Sequence, residues 1–399
     1  MFSFDDNRPM RRYAFEAFIS HLVWCFFLFG FTEGFVLPFA AWIERFYQWD
    51  ARWYGTMAQD GHGFLPQTYV FPPLHGWVLG RLTDVAFLFC KQVQEKPSWV
   101  LCFYAVALVF GVACFAIANS VLVALAERRF KIDRTRLWIF ALANPMGYFA
   151  LTPYSDMFFF ALFAVTMLLL LWTSPRREAW NLRALSTRTN RGVHAALAAL
   201  FFLSPWVRLT GFAYGIWLFL KRKEVFATFF SLAVFLLYYW IRTDNPFFFL
   251  LAQQAFMMPA GGFFTGLVMA LRVLGSLFDG TAYMGGEFLL YSFNFGVLPI
   301  LALLLSLALV VWFARRREFE WALIVLAVVA ISHNQAFWRS TVRYTLPFYP
   351  LFFWMLWEKP ATSNRRRIAR KIATGILVGI GLTLQVFYAR LFHVGAWAF

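Results

Sequence analysis

Charge is scarce in this chain. Only 14% of its 399 residues are Asp, Glu, Lys or Arg while 61% are hydrophobic, a balance that excludes a soluble enzyme, a disulfide-stapled secreted domain and a disordered tail. Cysteine is nearly missing too. Cys25, Cys90, Cys102 and Cys114 lie in apolar stretches without CxxC or Cys/His spacing, so they read as small buried hydrophobes and mark neither a disulfide nor a zinc site. No Asn-x-Ser/Thr sequon occurs, which leans towards a bacterial chain. No small-x-small cleavage site follows Arg8, Arg11 and Arg12, so the first apolar run is a retained span rather than a removable signal.

What is present is apolar length and basic charge. A helix needs about 20 apolar residues to cross the hydrocarbon, and eleven candidate spans run near 15–40, 98–126, 137–151, 155–173, 193–204, 211–220, 225–241, 288–313, 320–333, 345–357 and 372–391. The short ones at 193–204 and 211–220 suggest broken helices that line a cavity. The 36 Lys and Arg against 20 Asp and Glu give a net charge of +16, and most of the basic residues cluster in the loops that an N-inside arrangement makes cytoplasmic. The apolar stretch 74–90 is read as non-spanning, because a crossing there would put the five basic residues of 127–136 outside. Its Arg81 and Asp84, three apart on one helical face, fit an interfacial or re-entrant helix. The expectation is an all-α polytopic membrane protein, a single integral membrane domain over 1–399 with two long outer regions, 41–97 and 243–287. Segments 247–258 and 263–278 of the second region read as interfacial helices.

The first outer region is the most polar and glycine-punctuated part of the chain that adjoins a span. It reads Trp49-Asp50-Ala51-Arg52-Trp53-Tyr54-Gly55, then Asp60-Gly61-His62-Gly63 and Val70-Phe71-Pro72-Pro73-Leu74-His75. An acid between Trp49 and Arg52 has an apolar wall and a cation beside it, the balance that a general base needs. The plainer alternative is an interfacial aromatic belt, with Asp50 paired to Arg52 or Arg45. Glu33 is an acid inside the first apolar stretch, where function is the default reading, although its position near the outer end would also let it face water. A D-x-D pair is missing, since Asp50 and Asp60 are ten apart, so nothing in the sequence calls for a metal or another cofactor.

These residues resemble a known family. Trp49 to Tyr54, followed by Ala58-x-x-Gly61 and Phe71-Pro72-Pro73-Leu74, is similar to the first-loop pattern of the PIG-V family, the GPI mannosyltransferase II enzymes and their bacterial relatives in the GT-C class. Three further segments resemble that family in the same order: Asn144-Pro145 through Thr152-Pro153-Tyr154-Ser155-Asp156, Val207-Arg208-Leu209-Thr210-Gly211, and Arg343-Tyr344-x-Leu346-Pro347-x-x-Pro350-Leu351. The likeness spans roughly 45 to 352. His75 departs from it, standing where relatives continue with Tyr-Pro, and Arg52 falls at a position that varies.

The resemblance implies a GT-C-like bundle of about 11 transmembrane helices and a polyprenyl- or dolichyl-phosphate sugar donor, usually of mannose. It implies a glycan, glycolipid or protein acceptor at the outer surface, and Asp50 as catalytic base. Arg208 and Arg343 are the candidates to hold the donor phosphate, because each lies near the outer end of a span and arginine grips phosphate with a bidentate fork. The alternative for either is a structural partner for an outer acid such as Asp156, Asp244 or Asp279. Trp49, Arg52, His75, Asp156 and His333 are further candidates for substrate contact. Asp156 equally suits the N-terminus of its helix, and a histidine at a helix end is more often a satisfied interfacial group. A lipid or sugar transporter would share the span count and the basic loops, but no matching Gly/Pro-interrupted halves occur. Nucleic-acid binding is disfavoured, since each basic run abuts a span. The expected location is a bacterial inner membrane, more than an endoplasmic reticulum, with the site outside.

Overall fold

The computed structural model describes residues 8–33, 35–93, 98–130, 142–144, 147–173, 187–220, 223–253, 263–275, 296–333, 343, 351, 357 and 363–393. Among them the secondary structure is helical, without strands. Apolar side chains recur on all sides of the long helices, as expected where lipid rather than water is the surroundings. The helices are α1 (Arg8–Glu33), α2 (Phe39–Glu44), α3 (Asp50–Gln59), α4 (Pro73–Val93), α5 (Trp99–Phe130), α6 (Asp156–Thr173), α7 (Thr187–Val207), α8 (Phe226–Thr243), α9 (Phe248–Ala252), α10 (Phe263–Gly275), α11 (Leu298–Arg315), α12 (Phe319–Ser332) and α13 (Asn364–His393). Short 3-10 segments interleave with them at Pro66–Val70, Gly147–Leu151 and Lys223–Val225, with a longer one at Leu209–Leu220.

Among the described residues five helices are long and apolar enough to cross a membrane: Phe15–Glu33, Trp99–Leu125, Lys223–Thr243, Leu298–Arg315 and Asn364–Leu391. Four apolar helices are shorter, Asp156–Leu170, Arg191–Val207, Phe264–Gly275 and Trp321–Ser332. The chain is therefore a helical membrane-embedded protein, with fewer full-length spans among the described residues than the eleven expected. The difference has particular sources. The run 211–220 winds as 3-10 helix; 137–151 is described only at 142–144 and as the buried segment Gly147–Leu151; most of 345–357 lies outside the described residues. The stretch 74–90 forms α4, which does not join the five. On its surface Arg81 and Asp84 pair at 3.4 Å among exposed Leu82, Val85 and Leu88. Buried Cys25, Cys102 and Cys114 are free thiols; the side chain of Cys90 lies outside the described residues.

Within the bundle α5 packs on α1 and α6, α6 on α7, and α7 on α8. The segment 41–97 lies against it, with α3 and α4 packed on each other and α4 on α5 and α7. In the segment 243–287, Phe247, Leu250, Leu251, Phe264, Val268 and Leu271 are exposed. The bundle is interrupted at Arg208, between α7 and the 3-10 helix. Pro205 removes a backbone donor from the last turn of α7. Gly211 then lies directly on that turn, where an added Cβ would come within 2.4 Å of the Pro205 nitrogen. The chain can fold back so closely only because residue 211 has no side chain.

Candidate functional site

The site begins in a strained turn. Residues Gln48 to Ala51 close a β-turn through the Ala51 amide, which donates to the Gln48 carbonyl at 3.0 Å. Trp49 occupies its first central position at φ 52° and ψ −125°, the conformation of a type II′ turn that glycine takes freely and a residue with a Cβ resists. Such a residue costs about 1–3 kcal/mol and persists where its surroundings over-determine it. Here they do. Arg52 donates to Gln48 Oε1 at 2.9 Å and to the Tyr47 carbonyl at 3.3 Å, and the Tyr47 hydroxyl donates to the Arg52 carbonyl at 3.3 Å. The Tyr47 ring fits because residue 55 is glycine, whose missing Cβ would fall 1.8 Å from the Tyr47 oxygen. The turn delivers Asp50 as the first residue of α3.

Asp50 is not paired with Arg52. Its Oδ2 accepts hydrogen bonds from both Nη1 and Nη2 of Arg343, each at 3.0 Å. The arginine side chain is 7% exposed and the carboxylate 24%. The guanidinium also lies over the Tyr154 ring, 4.9 Å from its centroid, and near Phe149 at 5.6 Å, where aromatic faces favour a cation. Tyr154 in turn hydrogen-bonds the Asp50 backbone.

A second pair sits beside the first. Arg208, at the break after α7, forms an ion pair with Asp156, which opens α6; their side chains are 10% and 2% exposed. Tyr54 and His75 clasp the turn from Pro153 to Asp156. The Tyr54 hydroxyl hydrogen-bonds Ser155 Oγ at 2.7 Å, and His75 Nε2 donates to the Pro153 carbonyl at 3.0 Å. His75 Nδ1 is buried and has no hydrogen-bond partner. The ring stands edge-on to Tyr54 and packs near Phe110 and Phe158. Burial lowers its pKa to about 4, so the imidazole is neutral at physiological pH. Burial raises the phenols of Tyr54 and Tyr154, which therefore stay protonated. Tyr54 feels the charges of Arg208, Asp50 and Asp156, and Tyr154 those of Asp50, Arg343 and Asp156, so the two rings link the two pairs.

Of the residues singled out in the sequence, Asp50, Arg343, Arg208, Asp156 and His75 come together here, and Trp49 and Arg52 form the entry turn. His333 does not join them by any described contact. Its Nδ1 engages Ser332 and the Val329 carbonyl of its own helix. Glu33 binds Arg45 at 2.9 Å and Arg390 at 3.5 Å, which removes both Arg45 and Glu33 from Asp50. The sequence reading missed Tyr54, Tyr154, Ser155 and Phe149 as partners, although all four stand in or next to the motifs. For Tyr54, Tyr154 and Ser155 the signal was an aromatic or hydroxyl residue about one turn or less from a motif acid; Phe149 lies farther from either acid and carried no such signal. Among the described residues no group of three or more His, Cys, Asp or Glu is placed to hold a metal.

No family model matches the chain, and neither a curated protein nor a solved structure matches it.

Proposed function

We propose that this protein is a glycosyltransferase, related to the PIG-V family of the GT-C class, that moves a sugar, foremost mannose, from a polyprenyl- or dolichyl-phosphate donor to an acceptor hydroxyl at the extracytoplasmic or lumenal face. The carrying observation is the Asp50–Arg343 pair, a part-exposed carboxylate held through one oxygen by a guanidinium 293 positions away in the sequence. Arg343 occupies Oδ2, and Oδ1 is left to accept a proton. When a donor phosphate enters, it competes for the Arg343 fork. The acceptor oxygen then attacks the anomeric carbon, its proton passes to Asp50, and the bond to the phosphate oxygen breaks with inversion. The departing polyprenyl phosphate keeps the electron pair and is stabilised by Arg343.

Arg208 supplies a second positive centre, anchored to Asp156, and no covalent intermediate or cofactor is required. The basic loops favour the orientation with the N-terminus cytoplasmic, eleven spans and this site on the outer side; a bacterial inner membrane is the favoured setting. The test is transfer of labelled mannose from polyprenyl-phosphate mannose by the purified protein to acceptors in a membrane extract. Asp50→Asn is expected to abolish it. Full activity in that variant, or translocation of the lipid without transfer by the native chain, would overturn this reading.

A further inference from the structure

We infer that Trp49 is the platform on which the transferred sugar lies, a specificity-determining residue beside Asp50; this rests on the transferase reading above. The observation is a tryptophan where the backbone calls for glycine, at φ 52° in the first central position of a type II′ turn. A membrane-interface tryptophan has no need of such a backbone, because any helical position at the right depth presents an indole equally well. This one is held in place. The Arg52 guanidinium straps Gln48 and Tyr47 from within α3, and the Tyr47 hydroxyl closes the strap on the Arg52 carbonyl. The held turn leaves Trp49 39% exposed directly before a carboxylate that is itself 24% exposed, while Ala51 and Tyr54 turn inward.

A base that deprotonates an acceptor must lie within a few ångströms of the anomeric carbon under attack. A hexose presents a face of axial C–H bonds, and an indole face is the flat, electron-rich surface that matches it. Strain, strap and exposure together favour a ring fixed next to the base for that contact.

The experiment compares thermal unfolding of the detergent-purified protein alone, with polyprenyl phosphate, and with polyprenyl-phosphate mannose, for the native chain, Trp49→Phe and Trp49→Gly. The native chain is expected to gain an additional stabilisation from the sugar-bearing lipid beyond that from the sugarless one. Trp49→Phe keeps most of that increment. Trp49→Gly loses it, although its midpoint without lipid is unchanged or higher, since glycine relaxes the turn. In the transfer assay Trp49→Gly raises KM for the donor roughly three- to tenfold, with a smaller change in kcat. A full sugar-dependent increment in Trp49→Gly would overturn the platform, as would its absence from the native chain. A native chain that shows the increment and transfers no sugar would defeat the transferase reading and leave the platform standing.

Discussion

The two carboxylate–arginine pairs use the same chemistry and differ in their access to water. Asp156 and Arg208 are both nearly sealed, whereas Asp50 keeps a quarter of its side chain exposed in front of a buried Arg343. A sealed pair has already met its desolvation cost and loses a great deal if either partner goes. A half-open pair can exchange one hydrogen-bonded anion for another. The sealed pair therefore acts as framework, locking the break after α7 to the start of α6, and in the proposed transferase the half-open pair is where a phosphate would compete and a proton would be received.

The strongest test of that division is Arg343→Gln. If the chain is the proposed transferase, removing this cation should lower the transfer rate by about two to three orders of magnitude, while the thermal midpoint barely moves, because Asp50 still reaches water. Next comes Asp156→Asn, which leaves Arg208 buried without its counter-charge and should cost about 3–5 kcal/mol in chemical denaturation. Equal destabilisation by the two variants would erase the distinction between the pairs.

Acid probes the framework side. His75 stays neutral in the folded protein down to about pH 4, whereas in the unfolded chain it takes a proton near pH 6.5. The unfolded state thus binds more protons between those values, and stability falls as pH drops from about 6.5 to about 4, then levels off. The loss attributable to this group is on the order of 3 kcal/mol, read as the difference in pH-dependent stability between the native chain and His75→Asn. The smallest effect is expected for Tyr54→Phe, which deletes the bond to Ser155 and should cost about 1–2 kcal/mol in the same measurement.

Much of this arrangement was legible in the sequence one residue at a time. Asp50, Asp156, Arg208 and Arg343 each stand out because an ion beside an apolar run needs a reason. Their pairing was not legible. Asp50 and Arg343 are 293 positions apart, and no local period connects them. The nearby candidate, Arg52, failed for a local reason: residues two apart on a helix point to different sides, so Arg52 turns back one turn to Gln48 rather than towards Asp50. Helical membrane character was legible from composition, because it depends on apolar content summed over long windows. The count of crossings was harder to read, because 211–220 has the apolarity of a span and the geometry of a 3-10 segment. The turn at Trp49 was invisible, since no residue type there announces a positive φ.

Gly211 carries an evolutionary consequence. Where it meets α7, the atoms an added Cβ would strike belong to the main chain of Ser204 and Pro205, and main-chain atoms cannot rotate aside as a side chain can. Drift elsewhere along this segment can be absorbed by repacking, but this position is a dead end for every substitution that keeps the break. Any homologue that holds an arginine at the equivalent of Arg208 in the same way should carry glycine three positions later, and a lineage that lost it should have lost the bend as well.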